Sequence, residues 1–183
     1  MMVVMGIDPG FANTGFGVVR AAGNRLDVVD GGVIEASAEL APKQRLARIH
    51  AAISKLIEWH EPQAVALEEL YFGKNVRSAI GVGQARGVVM LAAAERGTAC
   101  FDYTPQAVKL AVCGSGAADK RQVQHMVAAL LRLPEAPRSD HAADALAVAI
   151  CHAGHARPRT AAAPSAALSA GAALGPQVRA DAR

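Results

Sequence analysis

The amino-acid sequence predicts an α/β domain, with a mixed five-stranded sheet (three antiparallel strands, then parallel strands) flanked by helices. Two observations support this prediction. Residues 2–36 contain three apolar runs of strand length joined by short turns, which is typical of an antiparallel meander. After residue 42, short apolar runs alternate with longer segments of helical periodicity, which is typical of strands connected by helices.

The composition bounds the size and class of the protein. A chain of 183 residues is long enough for one domain with an ample core. No apolar run has the ~18–20 residues of a membrane span, and we expect no secretion signal. The three cysteines are widely and irregularly spaced, which argues against a disulfide framework or a CxxC zinc site. We therefore expect reduced thiols and a cytoplasmic protein.

The basic excess of the chain lies in its last residues. The chain has 19 Lys and Arg against 16 Asp and Glu, a net charge of +3. Residues 1–154 hold 15 of each sign, so the excess comes from residues 155–183, which are rich in Ala, Pro and Arg. This segment has no amphipathic pattern. We therefore expect a folded domain over residues 1–154 and a disordered basic tail over residues 155–183.

The first half of the chain predicts four strands and one helix. Strands are expected at residues 2–8, 14–20 and 26–36, and Pro9-Gly10 ends the first because glycine accepts a positive φ. An amphipathic helix follows over residues 42–60, with Pro42 in its first turn. The fully apolar run at residues 64–67 predicts a strand that is buried on both faces and ends at Glu68-Glu69.

The second half predicts one more strand among helices. A loop over residues 70–75 precedes a long helix at 75–96, whose glycines fit either tight intramolecular packing or a dimer face. A buried strand is expected at residues 99–103. Thr104 is a predicted N-cap for a helix to about 112, and Asp119 with Gln122 forms a predicted capping box for a helix to 133. The last helix is expected at residues 139–152.

Two acidic residues end apolar strands, at Asp8 and Glu68. Neighbouring strands lie ~4.8 Å apart, so the two carboxylates can meet at one edge of the sheet. On the last helix, Asp140, His141 and Asp144 share a face at i, i+3 and i, i+4 spacing, and this spacing does not separate Asp140 from His141. Converging carboxylates with one imidazole suit Mg²⁺ or Mn²⁺.

Each of these residues alone has a simpler interpretation. Asp8 is a possible turn residue, Glu68 a solvated acid at a strand exit, and Asp140 an acid in a first helical turn. A lone histidine such as His141 is more often a surface or core residue than a ligand. The combination is more specific than its parts, because the acids lie at two strand ends and on one helix face.

The chain resembles the RuvC family of Holliday-junction resolvases, within the ribonuclease H-like superfamily. The matching stretches, in family order, are Gly6-Ile7-Asp8-Pro9-Gly10, Ala66-Leu67-Glu68-Glu69, Lys74-Asn75 through Gly83-Gln84-Ala85-Arg86-Gly87, Lys120 through Val123-Gln124-His125-Met126-Val127, and Ala142-Ala143-Asp144-Ala145-Leu146-Ala147. They span roughly residues 3–153. The resemblance implies a ribonuclease H-like fold and a homodimer that cuts four-way DNA junctions with two symmetric nicks, leaving ligatable ends.

The resemblance also implies the site. It assigns catalysis and metal binding to Asp8, Glu68, His141 and Asp144, with two Mg²⁺ ions per site and Mn²⁺ as a substitute. It favours His141 over Asp140 as the third ligand, and it makes Lys120 a catalytic residue. The residues that it implies for DNA binding are Tyr71, Phe72, Lys74, Arg77, Lys109 and Lys120. Arg77 and Arg86 are the weaker candidates for the DNA face. The implied partners are junction DNA and the branch-migration proteins RuvA and RuvB.

Two other functions fit part of the sequence. The run Gly6 to Gly15 also resembles the phosphate-binding turn of the sugar kinase, actin and Hsp70 superfamily, which would make the protein a phosphotransferase or ATPase. Those proteins use two such domains, and this chain has one such turn. A junction-binding protein without nuclease activity is the third possibility, although the acids at Asp8, Glu68 and Asp144 argue against it.

Overall fold

The computed structural model describes residues 1–69 and 76–156, except the side chains of residues 76–78. In chain order its elements are β1 (Met2–Asp8), β2 (Asn13–Ala22), β3 (Arg25–Glu35), α1 (Pro42–His60), β4 (Ala64–Glu68), α2 (Val76–Glu95), β5 (Ala99–Tyr103), α3 (Pro105–Cys113), α4 (Lys120–Leu131) and α5 (Asp140–His155). No helix in the described ranges is long and apolar enough to cross a membrane.

The strands form one mixed sheet in the order β3-β2-β1-β4-β5. β1, β2 and β3 pair in antiparallel fashion, whereas β4 pairs in parallel with β1 and with β5. This arrangement confirms the predicted fold class. In the β1–β4 ladder Ile7 pairs with Leu67, so Asp8 and Glu68 follow directly at the same edge.

Helices cover both faces of the sheet, because alternate residues of a strand point to opposite sides. On one face, α1 and α2 pack on Met5, Ile7, Val65 and Leu67. On the other face, α3, α4 and α5 enclose a second cluster that includes Val4, Val19 and Ala66. The run at residues 64–67 is fully buried, as predicted for a strand covered on both faces.

The predicted caps of α3 and α4 are confirmed, and two helix ends differ. The Thr104 side chain accepts from Ala107 N–H, and Asp119 and Gln122 form the expected reciprocal capping box. α4 ends at Leu131 rather than 133, because Arg132 adopts a left-handed conformation with φ of 54°. α5 continues to His155, three residues past the expected end.

β5 corrects one expectation. It was expected to be buried, yet it is an edge strand with exposed residues, and the Phe101 side chain is 43% exposed. A mostly apolar run of five residues, here with Asp102 in it, does not distinguish a central strand from an edge strand, because both need one buried face. The exposure of β5 follows from its position at the edge of the sheet, and that position depends on residues far along the chain.

Three glycines of β1 and β2 allow α5 to lie directly on the sheet. A Cβ at Gly6 would overlap the Ala145 carbonyl oxygen, and one at Gly15 would overlap the His141 carbonyl oxygen. A Cβ at Gly17 would lie 2.7 Å from the Leu146 side chain. These close approaches fix the height of α5 over the strands, and so they position its first turn above the end of β1.

Candidate active site

The end of β1 supplies the central carboxylate. The Asp8 side chain is 18% exposed, and the turn that follows it is closed by buried Thr14, whose hydroxyl donates to the Gly10 carbonyl oxygen at 2.7 Å. This bond satisfies the buried hydroxyl and holds the chain as it leaves β1. The Asp8 carboxylate is therefore presented at the sheet edge by a fixed backbone.

The first turn of α5 brings His141 to Asp8. Its Nδ1 lies 2.7 Å from Asp8 Oδ2, which joins two residues 133 positions apart in the chain. An Nδ1–H that donates to this carboxylate leaves the Nε2 lone pair of a neutral imidazole free to accept a proton or bind a metal ion.

Asp140 faces a different set of partners. Its carboxylate lies 2.9 Å from Lys120 Nζ and accepts from Gln124 Nε2 at 2.6 Å. The side chain is 58% exposed, and these two bonds tie the start of α5 to the start of α4. The structure thus separates the two neighbours: His141 contacts Asp8, and Asp140 contacts α4.

Glu68 and Asp144 complete a group of interacting carboxyls. Burial, and then the charges of Asp8 and Asp144, raise the pKa of Glu68 from 4.5 to about 7. Burial also raises the pKa of Asp144, with Lys120 opposing the shift. Three carboxyls that influence one another in this way repel when ionised, which is the electrostatic setting that a cation relieves.

Two lysines lie in range of these acids. Lys120 Nζ is 3.7 Å from Asp144, and its hydrogen bond to Asp140 raises its own pKa. Both Lys109 and Lys120 act to lower the pKa of Glu68, so their charges reach the same edge of the sheet. Ammonium groups at such an edge suit a phosphate of an incoming nucleic acid.

Arg86 has a structural contact that differs from the expected DNA-facing role. From α2 its Nη1 donates to the Glu68 carbonyl oxygen at 3.1 Å, and its Nη2 pairs with Asp102 of β5. The side chain is only 15% exposed. Arg86 therefore ties the ends of β4 and β5 to α2, directly behind the Glu68 carboxylate.

The donor chemistry of the site fits a hard divalent cation, because oxygen ligands with one imidazole are what Mg²⁺ and Mn²⁺ accept. The side chains as they stand do not form a coordination shell: in residues 1–69 and 79–156, no three His, Cys, Asp or Glu side chains are arranged to hold a metal ion. Instead, Asp8 contacts His141 and Asp144 contacts Lys120. Metal binding would require side-chain rotation within the site.

The site roles of several residues were not predicted from the sequence. Gly15 shapes the approach of α5, Thr14 closes the turn after Asp8, and Gln124 holds Asp140. Arg86, expected on the DNA face, instead holds the Glu68 backbone. Other sequence-predicted residues lie outside the described part of the chain. These are Tyr71, Phe72, Lys74, the side chain of Arg77, and residues 157–183 of the tail.

Comparison with known proteins identifies the family. The sequence profile described as "Crossover junction endodeoxyribonuclease RuvC" matches residues 4–152. A protein of that name from Pelotomaculum thermopropionicum is 51% identical over 154 residues, covering 84% of this chain and 94% of its own length. One from Roseiflexus is 53% identical over 148 residues, covering 81% and 88%.

A solved structure agrees with the sequence relatives. The structure of Thermus thermophilus RuvC in complex with a Holliday junction substrate superposes with a TM-score of 0.83 at 42% identity, covering 86% of this chain and 96% of that one. A profile match across most of the chain, with relatives at about half identity, establishes common descent and a common fold. The chain belongs to the RuvC family of crossover junction endodeoxyribonucleases.

Proposed function

We propose that the protein is a metal-dependent DNA endonuclease that resolves four-way (Holliday) junctions in homologous recombination and DNA repair. It makes two symmetric phosphodiester nicks that leave 5′-phosphate and 3′-hydroxyl ends for a ligase. The observation that carries the proposal is the group of Asp8, Glu68 and Asp144 at one sheet edge, whose burial and repulsion raise the pKa of Glu68 to about 7. Membership of the RuvC family supplies the substrate class.

Asp8, Glu68, His141 and Asp144 are the residues that would hold the metal. We propose Mg²⁺, two ions per site, with Mn²⁺ as a substitute. When bound, such cations supply charge neutralisation and Lewis-acid polarisation of a phosphoryl oxygen. The contact of His141 with Asp8 supports His141 rather than Asp140 as the third ligand, since Asp140 is engaged by Lys120 and Gln124.

In this proposal Lys120 and Lys109 act on the phosphate, and Asp8 orients His141. Lys120, 2.9 Å from Asp140 and 3.7 Å from Asp144, is held at the sheet edge, where its charge stabilises the negative charge that develops on the scissile phosphate. The charge of Lys109 acts on Glu68 at the same edge and adds to the attraction for phosphate. Asp8 orients the imidazole of His141 through their 2.7 Å contact.

Junction recognition needs contacts beyond the reacting centre. Tyr71, Phe72, Lys74 and Arg77 are our candidates, together with Lys109 and Lys120. An aromatic side chain beside the junction can stack on an unpaired base for ~1–3 kcal/mol, and lysines neutralise phosphates. Binding should therefore weaken steeply with salt.

We also propose a homodimer, formed through the exposed face of α2. Ile80 and Leu91 are 60% and 52% exposed on this helix, and Met90 is 43% exposed beside them. A Cβ at Gly87 would meet no described atom within 4 Å, so this part of the face is uncovered and smooth. An apolar helix face of this kind fits an isologous contact with a second copy, which would set two active sites on one junction.

Two further parts of the proposal rest on the family and on the cysteines. RuvA and RuvB, the branch-migration proteins, are the proposed protein partners. The thiols of Cys100, Cys113 and Cys151 are free, which suits the reducing cytoplasm, where the nucleoid presents the DNA substrate.

A nuclease assay tests the proposal. A synthetic four-way junction with Mg²⁺ or Mn²⁺ should receive paired, symmetric nicks from the wild-type protein and none from Asp8→Asn. Junction binding by Asp8→Asn, measured by gel shift, should persist, because the phosphate contacts come from other residues. Cleavage in the presence of excess chelator would contradict the metal assignment, and ATP hydrolysis without junction binding would favour a kinase-like function.

A further inference from the structure

A cleft of about 370 Å³ adjoins the candidate active site. It lies between the turn that follows β1 and the start of α2, and its lining residues are Gly10, Phe11, Ala12, Asn13, Gly81, Val82 and His141. Its volume is within the ~300–1,000 Å³ range of small-ligand clefts.

The cleft shares a wall with the reacting centre. His141 lines it and at the same time contacts Asp8 at 2.7 Å. The shared His141 therefore places the cleft directly beside Asp8, within reach of a nucleotide that neighbours a phosphate at that carboxylate.

The apolar wall of the cleft is held by two helices. The Arg45 guanidinium of α1 lies 5.1 Å from the centre of the Phe11 ring. On α2, a Cβ at Gly81 would lie 3.2 Å from Phe11 Cβ, so glycine is what allows this approach. A ring held by contacts with two helices offers a preformed surface to a ligand at little cost in ordering.

The polar group at the rim is Asn13. Its side chain is exposed and makes no hydrogen bond to any described residue, although its backbone pairs with Glu35 in the β2–β3 ladder. The amide has both donor and acceptor groups, which suits the edge of a nucleobase. Among the described residues that line the cleft none is acidic, so this part of the lining does not repel a phosphodiester strand.

Two other clefts are less suited to this role. One is lined by Glu58, Glu61 and Arg96 at the far end of α1, and its excess of acidic side chains disfavours a polyanion. Another contains Phe101 and His152 but lies where α5 ends, away from Asp8.

We propose that the cleft binds one nucleotide of the cut strand, directly beside the scissile phosphate, with Asn13 bonding the base edge and Phe11 contacting the base. This inference rests on the proposed nuclease function and deepens it. It makes Asn13 and Phe11 determinants of the sequence at which the protein cuts, while the shape of the junction determines where it binds.

The test combines protein and substrate changes. Single-turnover cleavage is measured for wild type, Asn13→Ala and Phe11→Leu on one junction with its natural bases, and on junctions with an abasic site at either nucleotide flanking the cut. On natural bases each variant should cleave about tenfold more slowly than wild type, as expected for loss of a base contact. On the junction that lacks the base bound in the cleft, wild type should slow to the rate of the variants.

Asn24→Ala, at the opposite end of the β2–β3 hairpin, is the matched control and should cleave like wild type on every junction. Gel-shift affinities of Asn13→Ala and Phe11→Leu should fall by less than their cleavage rates, since phosphate contacts elsewhere supply most of the junction affinity. If wild type cuts the junction and both variants keep their deficit on all abasic substrates, or show none on natural bases, the cleft proposal is wrong. If wild type cuts no junction, the nuclease proposal itself fails.

Discussion

Asp140 and His141 are neighbours in the chain but make different contacts in the site. Adjacent residues of a helix point about 100° apart, so only one of them can face the end of β1. His141 takes that direction and meets Asp8, while Asp140 turns toward α4 and binds Lys120 and Gln124. At the scale of single residues, the proposal therefore treats His141 as a ligand and Asp140 as a partner of Lys120.

Alanine variants at the two positions should behave differently. We expect His141→Ala to cleave at least about 100-fold more slowly, because it removes a metal ligand. Loss of a group that only supports a ligand already costs roughly 10–100-fold. Asp140→Ala should lose about tenfold or less, because Lys120 keeps its position near Asp144. Single-turnover cleavage at several Mg²⁺ concentrations measures both. A dead Asp140→Ala protein beside an active His141→Ala protein would reverse the assignment.

Glu68 makes the stability of the metal-free protein depend on pH. Its pKa rises from 4.5 to about 7 on folding, because of burial and then the charges of Asp8 and Asp144. Between these values the folded state holds a proton that the unfolded state has lost, so stability falls as pH rises from about 4.5 to about 7. Allowing for partial exposure and solvent screening, we expect a loss of about 1–2 kcal/mol.

Chemical denaturation with chelator present, from pH 4.5 to 8, measures this dependence. Glu68→Gln should flatten the slope and leave the part that Asp144 contributes, since its pKa is also raised by burial. Glu69→Gln replaces an exposed neighbouring carboxyl and is the matched control. For the wild-type protein at pH 8, added Mg²⁺ should restore the stability that is lost as the pH rises. An identical slope in wild type and Glu68→Gln would show that Glu68 is not the group responsible.

At the scale of elements, the site depends on how closely α5 approaches the sheet. Gly6, Gly15 and Gly17 leave no room for a side chain between the strands and the helix. The α5 residues that pack against β1, Ala145 and Ala149, have correspondingly small side chains. Small residues on both sides bring the backbones together, and they set the distance from His141 to Asp8.

Gly15→Ala should therefore damage the site more than a glycine-to-alanine change at a position with free space would. Overpacking typically costs about 1–3 kcal/mol, and here the clash is with the His141 carbonyl oxygen, so the helix start must move. We expect lower stability by thermal denaturation and a large loss of cleavage in the protein that remains folded. Gly31→Ala, where the nearest atom to a new Cβ is at 3.6 Å, is the control and should change both little.

At the scale of the whole molecule, two nicks on one junction need two active sites. The uncovered apolar face of α2 is the proposed contact between subunits, and Arg86 of the same helix binds the Glu68 backbone. The proposed subunit contact and the support of Glu68 would then lie on different sides of one helix.

Leu91→Glu should convert the dimer to a monomer, because a charge is buried at the contact without a partner. Sedimentation measures the mass, and cleavage of a junction should change from paired nicks to single, unlinked nicks. Trp59→Glu, at a 70% exposed position on α1, adds the same charge to another apolar side chain and should stay dimeric. A dimeric Leu91→Glu protein would place the subunit contact elsewhere.

The amino-acid sequence alone determined the order of the elements, most of their boundaries and the positions of the acids at strand ends. These features are local: turn residues, caps and apolar periodicity act over a few positions. The sequence also indicated the family, because motifs such as Gly83-Gln84-Ala85-Arg86-Gly87 occur in order along the chain.

Tertiary structure decided the rest. Four features depend on residues that are far apart in the chain. They are the exposure of β5, the choice between Asp140 and His141, the close approach of α5 to the glycines, and the contact of Arg86 with the Glu68 backbone. Periodicity gives the direction of a side chain around its own helix or strand, but not the height or rotation of that element against its neighbour. Those quantities follow from packing, and only packing brought His141 to 2.7 Å from Asp8.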